Sequence, residues 1–172
     1  MTVRIQLLFL FVIGMIIAPG VFAQETDVSL LKEKIIQLQN FNPLGIRTLV
    51  ACSKVTDYGS YEPLPDNRVK AGAVIFFYFE PQNPSTNKTG DKYEIWLSED
   101  MMVFSDKQQE VFKKENTLDI HYKTSVPRLD IYGVNQLTLT AISPGKYQFQ
   151  MILYDKIKGE RATATWAFEV VQ

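Results

Sequence analysis

The chain contains one cysteine, Cys52, and one histidine, His121, which together could act as a nucleophile and its base. Near Cys52 only Lys54, two residues along the same strand face, could lower the pKa of the thiol. The alternation of Thr48, Val50 and Cys52 is typical of a packed strand. We therefore predict that Cys52 is a small buried residue and that His121 lies on a strand surface. A small hydrolase that uses this pair stays open as an alternative.

A second set of reactive groups consists of carboxylates around a predicted strand and loop: Glu94, Glu99, Asp100 and Asp106. Two carboxylates could hydrolyse a glycosidic bond or bind Ca²⁺. No calcium-loop motif is present, and we expect solvated turns. Met101 and Met102 with His121 offer soft copper ligands, but adjacent strand residues point to opposite faces, which counts against such a site.

A third candidate surface is aromatic. Tyr58, Tyr61 and Tyr78 could form an exposed platform for a sugar or a peptide, although tyrosines of a β-sandwich more often lie in its core or rim. A carbohydrate-binding module is therefore a further alternative. Asn87 begins an Asn-Lys-Thr sequon in a polar loop, which matters only in a host that glycosylates exported proteins.

Residue counts exclude several kinds of chemistry. One cysteine allows no intramolecular disulfide, no four-cysteine zinc site and no iron–sulfur cluster, so we expect no cofactor. The formal net charge is −1 and no basic block occurs, so nucleic acid is not an expected partner. The partner we expect is a protein or a glycan of the cell envelope.

The N-terminus has the pattern of a secretory signal. Arg4 precedes an apolar run over Ile5–Ala18, Pro19 and Gly20 follow, and Val21-Phe-Ala23 provides small residues at the cleavage site. We predict a signal peptide over residues 1–23 and a secreted, periplasmic or other cell-envelope location, with no membrane span after cleavage. An uncleaved anchor is the alternative.

The elements that must position these residues follow from periodicity. Within a helical segment at 24–44, the sequence predicts a helix over Thr26–Phe41 that packs on the domain through Leu31, Ile35 and Leu38. A domain over 45–172 follows, with loops at 58–67 and 81–90 and a possible hairpin joining 102–104 to 109–113. Its predicted strands are Ile46–Val55, Ala71–Glu80, Asp91–Leu97, Leu118–Thr124, Val134–Ala141, Lys146–Tyr154 and Arg161–Val171. Seven or eight strands with short turns indicate an all-β antiparallel sandwich.

The last third of the chain resembles a known family. Gly145-Lys-Tyr147-Gln-Phe149 is similar to the start of strand F in secreted prokaryotic immunoglobulin-like and fibronectin-III-like domains. The resemblance implies that Tyr147 is the corner tyrosine and that Phe149 replaces the second cysteine of antibody domains. It also implies an immunoglobulin-like sandwich, and with no catalytic signature present we expect a non-enzymatic binding or interaction module.

We predict that export removes the first 23 residues, because the apolar run ends at a Val-Phe-Ala site. The intact mass of protein recovered from an exporting host should match a chain that begins at Gln24. A mass that still includes the residues near Met1 would contradict this prediction.

Overall fold

The computed structural model describes residues 20–140 and 142–172, and in this part the chain forms one helix followed by strands. The predicted signal sequence up to residue 19 lies outside the described residues, as does Ala141. The elements are α1 Gly20–Phe41, β1 Gly45–Asp57, β2 Ser60–Pro63, β3 Arg68–Lys70, β4 Val74–Gln82, β5 Asn87–Thr89, β6 Lys92–Ser105, β7 Glu110–Thr124, β8 Gly133–Thr138, β9 Gly145–Asp155 and β10 Glu160–Val171.

Two sheets pack face to face. The four-stranded sheet has the order β2-β1-β4-β8, and the six-stranded sheet has the order β3-β10-β9-β6-β5, with β7 paired to β6. The strands β1, β4 and β8 thus face β7, β6, β9 and β10. This arrangement is consistent with an immunoglobulin-like sandwich in which β9 and β10 form the last hairpin.

The structure corrects several details of the predicted strand plan. The predicted loop at 58–67 contains β2, which pairs with β1. The predicted loop at 81–90 contains β5, which pairs with β6, and the crossover loop between β4 and β5 passes from the four-stranded sheet to the six-stranded sheet. The proposed hairpin is larger than predicted, since β6 and β7 pair along nearly their whole lengths. The sandwich is also not purely antiparallel, because the short β3 pairs in parallel with β10.

The core is aromatic at its centre. Phe77 of β4 stacks on Phe149 of β9 with ring centroids 3.7 Å apart and planes only 5° apart, and Trp166 meets Phe77 edge-on. Phe149, Met151, Leu153 and Phe168 are buried, and Tyr147 and Trp166 pack against them half-buried. The last hairpin therefore packs its inward face against Phe77 of the opposite sheet.

The corner tyrosine also has its expected geometry. The Tyr147 hydroxyl donates to the carbonyl oxygen of Ser143 at 2.8 Å, and Phe149 follows two residues later with no exposed surface. This bond ties the loop before β9 to the start of the strand. The residues that carried the family resemblance are thus arranged as the resemblance implied.

The helix α1 packs on the domain through a different face from the predicted one. Ile36 is buried, Glu33 forms an ion pair with Lys88, and Asn40 exchanges two hydrogen bonds with the backbone of Thr86, at 2.9 and 2.8 Å. These docking residues recur at helical spacing. The predicted contact residues Leu31, Ile35 and Leu38 are exposed instead.

The link between α1 and β1 is fastened to the β9–β10 turn. The backbone N–H of Leu44 donates to Glu160, and the Lys158 ammonium donates to the carbonyl oxygen of Asn42. The buried Asp155 carboxylate accepts from the N–H groups of Ile157 and Lys158 within that turn, and also from Ser85 in the crossover loop. Among the described residues, no helix is long and apolar enough to cross a membrane.

We expect Phe149→Ala to lower the free energy of unfolding by about 3–5 kcal/mol, because it removes a fully buried ring from the contact between the sheets. Urea unfolding followed by circular dichroism measures the change. Phe41→Ala is the matched control, since Phe41 is largely exposed and should change stability little. A loss below about 1 kcal/mol for Phe149→Ala would contradict its place in the core.

Candidate functional site

The three tyrosines named from the sequence lie together on the outer face of the four-stranded sheet. Because side chains alternate along β4, Tyr78 points away from the core that Phe77 enters. Its ring packs against Tyr61 at 4.4 Å and against Tyr132 at 5.6 Å between centroids, and Tyr58 meets Tyr132 edge-on at 6.2 Å. Tyr78 is fully buried, Tyr61 and Tyr132 are half-buried, and Tyr58 is exposed.

A chain of hydrogen bonds runs through this tyrosine cluster. The backbone N–H of Gly59 donates to the Tyr78 hydroxyl at 2.8 Å, and that hydroxyl donates to Glu80 Oε1 at 2.7 Å. Arg47 pairs with the other oxygen of Glu80 through Nε at 3.1 Å and donates to the Tyr58 hydroxyl at 3.0 Å. The position of Tyr58 is therefore set through Arg47 by a carboxylate that is itself anchored.

The protonation states in this chain follow from its contacts. Burial by itself would raise the pKa of Glu80, but hydrogen bonds from Arg47 and Tyr78 outweigh it and lower the pKa. The same pairing raises the pKa of Arg47, and burial raises the pKa of Tyr78. At neutral pH these hydrogen-bonded groups thus include the Glu80 carboxylate, the Arg47 guanidinium and the neutral phenol of Tyr78. This arrangement suits binding by hydrogen bonds and does not supply an acid that gives up protons.

A cleft of about 350 Å³ adjoins the cluster between α1 and the end of the four-stranded sheet. Arg47 and Tyr58 form one wall. The remaining lining comprises Ile35 and Gln39 from α1, Pro81, Gln82 and Asn83 at the end of β4, and Leu129, Asp130 and Ile131 before β8. Asn83 is fixed by a hydrogen bond to the carbonyl oxygen of Pro43, at 3.1 Å. Polar planar groups and a few apolar side chains therefore line one opening.

Cys52 and His121 do not meet. Cys52 lies in β1 of the four-stranded sheet, with no exposed surface, and burial raises the pKa of its thiol. His121 lies in β7 of the six-stranded sheet, bonded to Glu94 at 2.8 Å and stacked on Trp96 at 4.7 Å between centroids. The predicted placements of both residues are confirmed, and the two do not form a catalytic pair in this structure.

The four candidate carboxylates are spread along β6 and its turn. Glu94 is bonded to His121 on the outer face, Asp100 accepts from the Tyr154 hydroxyl at 2.9 Å, and Asp106 is exposed in the β6–β7 turn. Glu99 does not lie in a solvated turn as expected, because β6 continues through it and directs its side chain into the core. Met101 likewise enters the core while Met102 faces the other way, so these methionines and His121 do not converge.

The sequence did not point to Arg47, Glu80 and Tyr132, which contact the tyrosines, or to the polar groups that line the cleft. Arg47 and Glu80 are 33 positions apart, and only the pairing of β1 with β4 brings them together. Tyr132 lies in an irregular segment without periodicity. The one local signal beside it is Gly133, where a Cβ atom would lie 2.3 Å from the Phe79 ring, so the close approach of the chain there requires glycine.

Comparisons with known proteins give structural likeness only. No protein-family model matches the chain, and no curated protein sequence matches it. Among solved structures, an alkylpurine DNA glycosylase from Pseudomonas fluorescens aligns with 87% of this chain at 12% identity and a TM-score of 0.40. The alignment spans 37% of that glycosylase.

Two smaller proteins align over most of their own lengths. The soluble domain of PmoD from Methylocystis sp. is 14% identical, with 72% of this chain and 89% of that domain covered and a TM-score of 0.35. An immunoglobulin-like protein from Pseudomonas aeruginosa is 9% identical, with 76% and 93% covered and a TM-score of 0.33. Similarity at this level carries no functional argument.

Glu99 is a strongly perturbed carboxyl in the core. Burial raises its pKa to about 8, although a hydrogen bond from Asn135 of β8 partly opposes this effect. Between about pH 4.5 and 8 the unfolded chain releases this proton while the native state retains it. The native state therefore loses stability as the pH rises through this window.

We expect Glu99→Gln to remove this pH dependence, because glutamine is neutral and keeps an oxygen for Asn135. Its free energy of unfolding should exceed that of the unmodified chain by about 2–4 kcal/mol at pH 8.5 and by much less at pH 4.5. Urea titrations at the two pH values measure this, with Asp106→Asn as the exposed control. Equal effects of Glu99→Gln at both pH values would contradict the shifted pKa.

Proposed function

We propose that this chain is an exported, non-enzymatic binding module that holds a glycan in the cleft beside the tyrosine cluster. The single observation that carries the proposal is the meeting of exposed Tyr58 with a set of planar polar groups around one opening. The immunoglobulin-like sandwich would then be a scaffold that positions this cleft.

The chemistry of the lining favours a neutral ligand rich in hydroxyl groups. Gln39, Gln82 and Asn83 each offer both a donor and an acceptor, and Asp130 offers an acceptor. Arg47 supplies further donors, but its charge is already matched by Glu80, which disfavours recognition of a strongly anionic ligand. The ring of Tyr58 adds an apolar face that can cover the C–H side of a sugar.

The site is also held in place before any ligand arrives. Arg47, Glu80, Tyr78 and Gly59 form one hydrogen-bonded chain, so Tyr58 is held at the rim by the bond to its hydroxyl. Asn83 is tied to the segment that follows α1. Ordering these groups in advance lowers the entropic cost of binding. A cleft of this kind supports recognition and contains no activated nucleophile.

The separation of Cys52 from His121 and the burial of Glu99 weigh against the hydrolase alternatives. The tyrosine cluster weighs in favour of the carbohydrate-binding alternative over an unspecified protein ligand. A protein partner of the envelope would differ from a glycan in being destroyed by protease digestion.

We expect the protein to bind at least one neutral oligosaccharide in a glycan array, and isothermal titration calorimetry should then give its affinity. Tyr58→Ala should weaken that affinity at least tenfold, which corresponds to about 1.4 kcal/mol. Tyr154→Ala is the matched control, because Tyr154 lies on the outer face of the other sheet and is bonded to Asp100. Its affinity should be unchanged.

The two kinds of partner are separated by capture from the host's envelope fraction before and after protease digestion. Capture that survives digestion and is lost in Tyr58→Ala supports the glycan. Capture abolished by digestion would replace the glycan with a protein ligand. Equal capture by Tyr58→Ala and by the unmodified protein would remove the cleft from the proposal.

A further inference from the structure

An apolar stripe runs along the exposed side of α1. Val28, Leu31, Ile35 and Leu38 are all exposed, and they follow one another at intervals of three, four and three residues. This spacing keeps the four side chains on a narrow band of the helix surface. A single exposed leucine needs no explanation, but an ordered band of four needs a partner.

The spacing and the residue types match a heptad repeat. With Val28 and Ile35 assigned to position a, Leu31 and Leu38 fall at position d. β-Branched residues at a with leucine at d favour parallel two-stranded coiled coils. The band therefore has the residue composition of a dimer seam. A hydrophobic patch without a helical partner would not need this order of β-branched residues and leucines.

The domain leaves this band exposed, although Ile35 in the band and Gln39 beside it also line the cleft. Glu33, Ile36 and Asn40, which fasten α1 to the sandwich, occupy the f and b positions on the opposite side of the helix. A second helix can thus approach without displacing the first from its own domain. Because the docking contacts already order α1, association does not have to form the helix, which is the costly step for short segments.

The charges beside the band agree with a parallel partner. Asp27 falls at position g and Lys32 at position e of the following heptad. In a parallel two-stranded coil, g of one helix lies next to the following e of the other. Two copies would therefore form two Asp27–Lys32 pairs across the seam, related by symmetry. Lys34 at g would lie next to the neutral Gln39 at e, so this second position adds no repulsion between like charges.

We propose that this band, Val28, Leu31, Ile35 and Leu38, is a homodimer seam through which α1 pairs in parallel with α1 of a second copy. The two sandwiches then lie on the outside of the coil. Two heptads are short for a coiled coil, so we expect a weak, reversible dimer. This inference goes beyond the proposed function and does not depend on it.

Sedimentation equilibrium of the protein recovered from an exporting host, from about 10 to 500 µM, tests the seam. The unmodified chain should show a monomer–dimer equilibrium, and Leu31→Lys should weaken it at least tenfold. Leu30→Lys is a closely matched control, because Leu30 is adjacent and equally exposed, at 63% against 62%, but lies at position c. It should leave the equilibrium unchanged. Ile35 is avoided because it also lines the cleft.

The orientation is tested separately. Leu31→Cys should form a disulfide-linked dimer under mild oxidation, because a parallel seam places the two d residues side by side, whereas Leu30→Cys should not. Lys32→Asp should weaken the dimer by charge repulsion, and the double variant Asp27→Lys, Lys32→Asp should restore it.

A monomer at every concentration would overturn the proposal, as would equal weakening by Leu30→Lys and Leu31→Lys. Monomeric protein that instead sediments with phosphatidylcholine–phosphatidylglycerol vesicles through Leu31 would assign the band to a membrane surface and also overturn it.

Discussion

The contact between Phe77 and Phe149 is the interaction on which the rest of the structure depends. With a single cysteine the sandwich has no disulfide between its sheets, and this stack joins β4 to β9 at the centre of the core. The surrounding core consists of aliphatic side chains, Met101, Met151, Phe79 and Phe168. Stability therefore rests on packing, and the offset or edge-on contacts of aromatic rings contribute beyond the area that they bury.

The same strand that supplies this contact also builds the outer site. Along β4, Phe77 and Phe79 enter the core while Tyr78 and Glu80 point the other way, because successive side chains of a strand alternate. Any shift of β4 that spoils the core would also move Glu80 away from Arg47. The precision of the site is thus inherited from the register of the sandwich.

The helix takes part in this arrangement through a polar connection more than an apolar one. Asp155 accepts three backbone N–H groups and so joins the β9–β10 turn to the crossover loop, whose Thr86 in turn holds Asn40 of α1. Ile36 is the buried apolar contact of the helix among the described residues. Because few apolar groups are used for docking, the outward band of α1 stays available for another partner.

The sequence by itself determined helix α1 and most of the long strands, because these elements follow from helical or period-two spacing. The corner at Tyr147 followed from the family resemblance. The sequence also determined that Cys52 would be buried. It could not place β2, the crossover or the docking face of α1, since these depend on which sheet each strand joins. Amphipathic spacing marks an apolar face of a helix, yet it does not say what that face contacts, which is why Leu31, Ile35 and Leu38 were assigned to the domain.

Only the tertiary structure brought Arg47, Glu80 and Tyr132 to the tyrosines. These residues come from β1, β4 and the segment before β8, and no spacing along the chain links them. Glu99 is a second example. The polar residues around it predict a solvated turn, but β6 continues through Glu99 and places its side chain in the core. Strand pairing and sheet packing are contacts between residues that are distant in the sequence. These contacts, and not the polarity of the residue itself, decide whether a polar side chain is exposed or buried.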